Sequence, residues 1–103
     1  MTTVLFNALA EQELLDNASF YEEQTRGLGL EYLDQVQKAI NLIIRYPEIG
    51  SIIEDSVRSF ILPKFPYSLI YSLLEDNQIR ILAVAHHKRK PKYWRNIAIL
   101  NHL

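Results

Sequence analysis

Two hydrophobic periods divide the chain. Up to residue 46 apolar residues recur every three or four positions, and from Val57 onward they alternate or run together. Val4-Leu5-Phe6 is a short apolar run of strand length, and Asn7 follows at the position of a helix N-cap. Ala10, Leu14, Ala18 and Tyr21 then share one helical face, with Leu15 beside them. Glu11, Glu13, Asp16, Glu22 and Glu23 fall mostly elsewhere on the turn, as expected of solvated faces. Gly27-Leu28-Gly29 breaks this helix, because glycine tolerates the left-handed backbone that ends helices. A second helix is predicted from Leu30 to Tyr46, with Leu33, Val36, Ile40 and Ile43 at the 3.6 period and Ile44 widening the stripe. Pro47 stops it, and Pro47-Glu48-Ile49-Gly50 reads as a turn. The short connection predicts an antiparallel helical hairpin.

The second half predicts strands at Val57–Leu62, Tyr67–Leu74 and Ile79–His86, with Glu75–Gln78 as a polar hairpin loop. Pro63 and Pro66 bracket the break between the first two, and Pro91 bars the last from continuing. The run Ile79–His86 is apolar on both alternating sets except for Arg80 and His86, the signature of a central strand covered on both faces. The expected fold is α+β in the order β-α-α-β-β-β, a helical hairpin on one face of a mostly antiparallel sheet. Residues 1–103 read as one domain, without linker, repeat or low-complexity tract. Phe65, Tyr67 and Tyr71 are expected to pack in the core and across strands.

Composition narrows the classes. Hydrophobic residues are 49% and charged residues 22%, with 3 Gly and 4 Pro, which excludes collagen-like and disordered chains. Cysteine is absent, so neither a disulfide framework nor a thiolate metal site is possible, and a reducing compartment is expected. The N-terminal segment lacks a basic n-region and is not read as a signal peptide. No run approaches 18 apolar residues, so no membrane span is expected. The net charge of −1 conceals a division: residues 1–57 carry ten acids and three bases, whereas residues 58–103 carry eight bases and two acids. Such polarity suits a surface facing an anionic partner, or two halves that neutralise each other across the fold.

The candidate chemistry concentrates in His86-His87-Lys88-Arg89-Lys90-Pro91-Lys92-Tyr93-Trp94-Arg95. Cations with interleaved aromatics suit phosphate contact with base stacking, and they suit an acidic protein surface equally. A solvated strand end with Trp94 folded on the core accounts for the same residues. Metal-free RNA cleavage needs a base, an acid and cations on the phosphate. His86 or His87 could be base or acid, Arg58, Lys64 and Arg89 could supply cations, and Tyr93 could orient a group or stack. Adjacent strand histidines point to opposite faces, so at most one would serve. Arg58, on a predicted strand, is either such a cation or the partner of an acid on the helical hairpin. No cofactor is expected: His86, His87 and His102 lack ligand spacing, and Gly27 and Gly29 lack the context of a phosphate loop. The serines lie in no nucleophile motif.

Four stretches stand in order along the chain: the helix from Glu11 to Tyr21; Arg26-Gly27-Leu28-Gly29 before a helix ending in Tyr46-Pro47-Glu48-Ile49-Gly50; Val57-Arg58 leading to Phe65-Pro66-Tyr67 and Ile70-Tyr71; and Ile81–His86 running into Arg89, Pro91, Tyr93 and Trp94. Together they resemble the RelE/ParE superfamily of toxins from type II toxin–antitoxin systems. The last stretch favours the ParE-like branch. The resemblance ends near Asn96 and implies a cytoplasmic toxin neutralised by a cognate antitoxin. ParE-like members bind DNA gyrase, and RelE-like members cleave mRNA on the ribosome. Under the first reading Lys64, Lys88, Arg89, Lys90, Lys92, Tyr93, Trp94 and Arg95 form the target- or antitoxin-binding surface. Under the second His86, His87, Arg58, Arg89 and Tyr93 are the catalytic candidates.

Overall fold

The computed structural model describes residues 2–95. Its elements are β1 (Thr3–Phe6), α1 (Ala8–Gln24), α2 (Leu28–Arg45), β2 (Ser51–Glu54), β3 (Val57–Ile61), β4 (Tyr67–Leu74) and β5 (Gln78–His86). The α+β order expected from the pattern is present, with one strand added. The five strands form a single sheet in the order β1-β5-β4-β3-β2. β1 runs parallel to β5, from Thr3 opposite Gln78 to Phe6 opposite Ile81, and the other pairings are antiparallel. β2 escaped the pattern because Ile52 and Ile53 are adjacent and so do not alternate. It is a four-residue edge strand, with an irregular register between Ile52 and Glu54. Short, irregular edges are how sheets discourage further pairing.

The helix boundaries follow local chemistry with two corrections. Asn7 has the extended backbone of an N-cap, but its side chain makes no capping bond. Its amide instead donates to the Ile81 carbonyl at 2.9 Å, continuing the β1–β5 ladder by one bond. The second helix begins at Leu28 rather than Leu30, so Gly29 lies inside it. Gly27 holds φ +87° at the cap, a conformation that costs other residues energy. Gly29 lets the helices close: a Cβ there would stand 2.5 Å from the Ala18 carbonyl oxygen. The orphan amides of the first turn of α2 are met by Glu22, whose carboxylate accepts from Gly27 N at 2.9 Å and Gly29 N at 3.0 Å. Leu15 and Ile44, at the margins of their stripes, remain exposed.

The hairpin covers one face of the sheet. Tyr32, Tyr71, Ile43, Leu69, Ile81 and Val84 are its largest fully buried side chains, the aliphatic ones each worth about 1.5–3 kcal/mol of transfer free energy. Phe65 and Tyr67 join Tyr21 and Tyr32 in an aromatic cluster. Two irregularities of β5 shape the surface around its C-terminal end. Its register against β4 slips from Ile70↔Ala83 to Tyr71↔Ile81, which leaves Leu82 as a bulge. β1 also stops opposite Ile81, so the upper half of β5 has no strand on that side. Among the described residues no helix is long and apolar enough to cross a membrane.

Candidate interaction site

The face of the sheet away from the helices has a floor of serine, alanine and isoleucine side chains. Ser59, Ile70 and Ala83 form one row across β3, β4 and β5, and Ile61, Ser68 and Ala85 form the next. The chain leaves β5 at His86, turns through an Arg89 N–H to His86 carbonyl bond of 3.0 Å, and returns over this face. Trp94 is 4% exposed and packs against Ile70, Leu82 and Ala83. Arg95 closes the path with a forked contact to the Glu54 carboxylate of β2. The segment 87–95 therefore spans the sheet from β5 to β2. A pocket of about 300 Å³ lies between them. Its floor includes Ile53, Ser59, Ser68 and Ile70, and its rim includes His87, Arg89 and Lys90.

Both histidines line this pocket, and they take different partners. His86 sits opposite Tyr67 and stacks edge-on against that ring at 5.0 Å, joining the helix-side aromatics. Its Nδ1 accepts the Lys88 amide at 3.0 Å, so the neutral ring carries its proton on Nε2. His87 lies past the strand end, exposed, with Nε2 3.2 Å from Ser68 Oγ.

Tyr93 is held from both sides. Its ring lies under the Arg89 guanidinium, 3.9 Å from Cζ to the centroid, and its hydroxyl donates to Glu13 Oε2. The other oxygen of Glu13 accepts the Val84 amide at 2.9 Å. That amide belongs to the part of β5 that lacks a strand neighbour. Burial pushes the Glu13 carboxyl above its ordinary value of 4.5, against the opposing effects of the two hydrogen bonds and the Arg89 charge. Burial first, and then the Glu13 carboxylate, raises the Tyr93 hydroxyl well above 10.

Other candidates stand apart. Arg58 pairs with Tyr71 across β3–β4 and so lies on the helix side of the sheet. It is neither on the pocket nor paired with a helical acid. Its Nη1 donates to the carbonyls of Glu48 at 3.0 Å and Gly50 at 2.8 Å. Lys64 is exposed in the loop before β4 and does not line the pocket. Lys88, Lys90 and Lys92 are exposed and make no ion pair with a described residue. The acidic and basic halves thus meet at Glu54–Arg95 and at Glu13 beside Arg89, while three lysines stay exposed, two of them, Lys90 and Lys92, along the pocket. His102 lies outside the described residues.

Sequence reasoning placed Glu13 on a solvated face, and the structure brings it to the site. One signal was available. Glu13 is three residues from Ala10 and four from Asn17, at the edge of the buried stripe. Asn17 also turns inward, donating to Tyr32 Oη at 3.0 Å.

The family described as "ParE toxin of type II toxin-antitoxin system, parDE" matches residues 4–91. Among curated proteins none matches. Among solved structures, one described as the chromosomal ParDE TA system from P. aeruginosa superposes with a TM-score of 0.68 at 16% identity, covering 84% of this chain and 96% of that one. The isolated E. coli RelE toxin superposes with a TM-score of 0.64 at 19% identity, with 100% of each chain covered. At these identities the superpositions establish the shared fold.

Proposed function

The chain belongs to the ParE toxin family of type II toxin–antitoxin systems, and from that premise we propose that it inhibits DNA gyrase by binding, through the cationic segment 87–95, and is neutralised by a cognate antitoxin. The observation that carries the binding reading is how few acid–base groups the pocket leaves open. Tyr93 is engaged by Glu13 and Arg89, and the Nδ1 of His86 is engaged by the turn. Cleavage of RNA without a metal needs two proton-transfer groups and converging cations. Among the described residues His87 is the one imidazole that the backbone has not engaged, and Arg58 and Lys64 are elsewhere. A binder needs only displayed charge over a firm base, which Lys88, Lys90 and Lys92 on a pinned segment supply. The antitoxin would cover apolar side chains that the fold leaves exposed, among them Leu15, Phe20 and Leu30 on the helices.

The test is purified toxin in a gyrase supercoiling assay, run beside translation-coupled mRNA cleavage. Inhibition of supercoiling with intact mRNA is the expected result. The competing RelE-like reading draws on one specific observation, the approach of His87 to Ser68 beside Arg89 and Lys90. Cleaved mRNA that becomes intact with His87→Gln would establish it instead. Co-expression with the neighbouring reading frame, followed by pull-down, is expected to recover a small protein partner.

A further inference from the structure

We propose that Glu13 is the positioning residue of the cationic segment, a carboxylate on α1 that joins β5 to Tyr93 and thereby fixes how Lys88, Lys90 and Lys92 are displayed; the functional consequence rests on the proposed binding role of that segment. The bulge at Leu82 and the early end of β1 leave the Val84 amide without a ladder partner, while Val84 itself is 1% exposed. A buried amide without an acceptor is costly, so something must meet it. Glu13 Oε1 does so, from 71 positions away in the chain.

The same carboxylate has a second oxygen, and Tyr93 donates to it. One side chain is thus bonded both to the rigid strand and to the segment that leaves it. Arg89 stacked on Tyr93 extends the link to the middle of the segment. Trp94, the next residue, seats the far end on the sheet. The lysines alternate with these anchored positions: Lys88 precedes Arg89, Lys90 follows it, and Lys92 precedes Tyr93. Ordering such a segment in the free protein reduces the entropy lost when an anionic partner binds. Glutamine is the informative substitute. Its carbonyl can accept the Val84 amide, and its amide can donate to the tyrosine oxygen, so it preserves the link without the charge.

The chain's single tryptophan lies on the segment, which gives a direct readout. Glu13→Ala is expected to shift Trp94 emission to the red and to raise its quenching by acrylamide roughly threefold, with amide exchange at Val84 about tenfold faster and α2 protection unchanged. Glu13→Gln should restore emission and exchange, and Tyr93→Phe should loosen Trp94 while leaving the Val84 amide protected. In the gyrase assay Glu13→Ala should weaken inhibition about tenfold, with recovery in Glu13→Gln. Wild-type Trp94 emission in both Glu13→Ala and Tyr93→Phe would overturn the proposal. So would protection lost evenly along the chain, with Gln no better than Ala. Should Glu13→Ala fail to fold, Tyr93→Phe and Glu13→Gln decide by the same emission. These spectroscopic readouts need no target, so a toxin inactive on gyrase would refute the functional reading and leave this one to be judged alone.

Discussion

Two turns of this molecule are each held by a tyrosine hydroxyl and an arginine, and they use them in opposite ways. At residues 46–50 the Tyr71 hydroxyl donates to the Pro47 carbonyl at 2.7 Å and accepts the Gly50 amide at 2.9 Å. Arg58 adds two bonds to carbonyls of the same turn. Gly50 has no alternative there, because a Cβ would stand 2.8 Å from the Tyr71 ring. Every one of these polar groups points into backbone. At residues 87–95 the Tyr93 hydroxyl meets a carboxylate from α1, Arg89 stacks on its ring, and three lysines stay exposed. The first arrangement consumes its cation in holding a turn. The second holds the segment with anchors and leaves its lysines exposed, without an ion pair to a described residue. A basic residue in a sequence therefore signals a partner only when the backbone has not already engaged it.

The contrast can be broken by substitution, from the largest effect on stability to the smallest. Trp94→Ala removes a buried indole from the open face of the sheet and should cost about 3 kcal/mol in chemical denaturation. Tyr71→Phe leaves the Gly50 amide and Pro47 carbonyl without their partner and should cost about 2 kcal/mol, with Trp94 emission unchanged because the lesion is at the other clamp. A Tyr71→Phe protein whose Trp94 emission shifts as far as that of Tyr93→Phe would mean that the two clamps are one cooperative unit.

Replacing Lys88, Lys90 and Lys92 together by Gln should move stability by less than about 0.5 kcal/mol, since exposed charges contribute little. Gyrase inhibition should nevertheless weaken, most visibly at low salt. Unchanged inhibition at every salt concentration would make the cluster a solvated end. The finest test is pH. The Glu13 carboxyl is raised in the folded state, so the stability it contributes is complete below about pH 4.5 and is lost as pH rises through the raised value. The groups around it are Tyr93, Arg89 and, farther off, Tyr32 and Tyr67, and the shifted tyrosines stay neutral across that range. Thermal melts from pH 4 to 7 should show this decline in the wild type and lack it in Glu13→Gln.

Much of the fold was legible because its causes are local. Gly27 frees its own backbone for a positive φ and Pro47 and Pro91 restrict theirs, and the 3.6 and 2 periods report which side of an element is covered. β5 could be recognised as central from its composition alone. β2 could not, because an edge strand of four residues with adjacent isoleucines has no alternation to read. Its existence depends on the partner it finds in β3.

The site divides along the same line. Cations and aromatics gathered after β5 are plain in the residue order, as is a tryptophan available to seat the segment. The packing of distant elements is what binds Arg58 to carbonyls, sets Lys64 apart, and brings the Glu13 side chain from α1 to Val84 and Tyr93. The last of these hangs on a single unpaired residue, Leu82, which shifts the hydrogen-bonding edge of β5 and turns an amide toward a helical residue 71 positions earlier in the chain. Periodicity reports the faces of an element, whereas a bulge is a property of two strands in register, and no single segment encodes it.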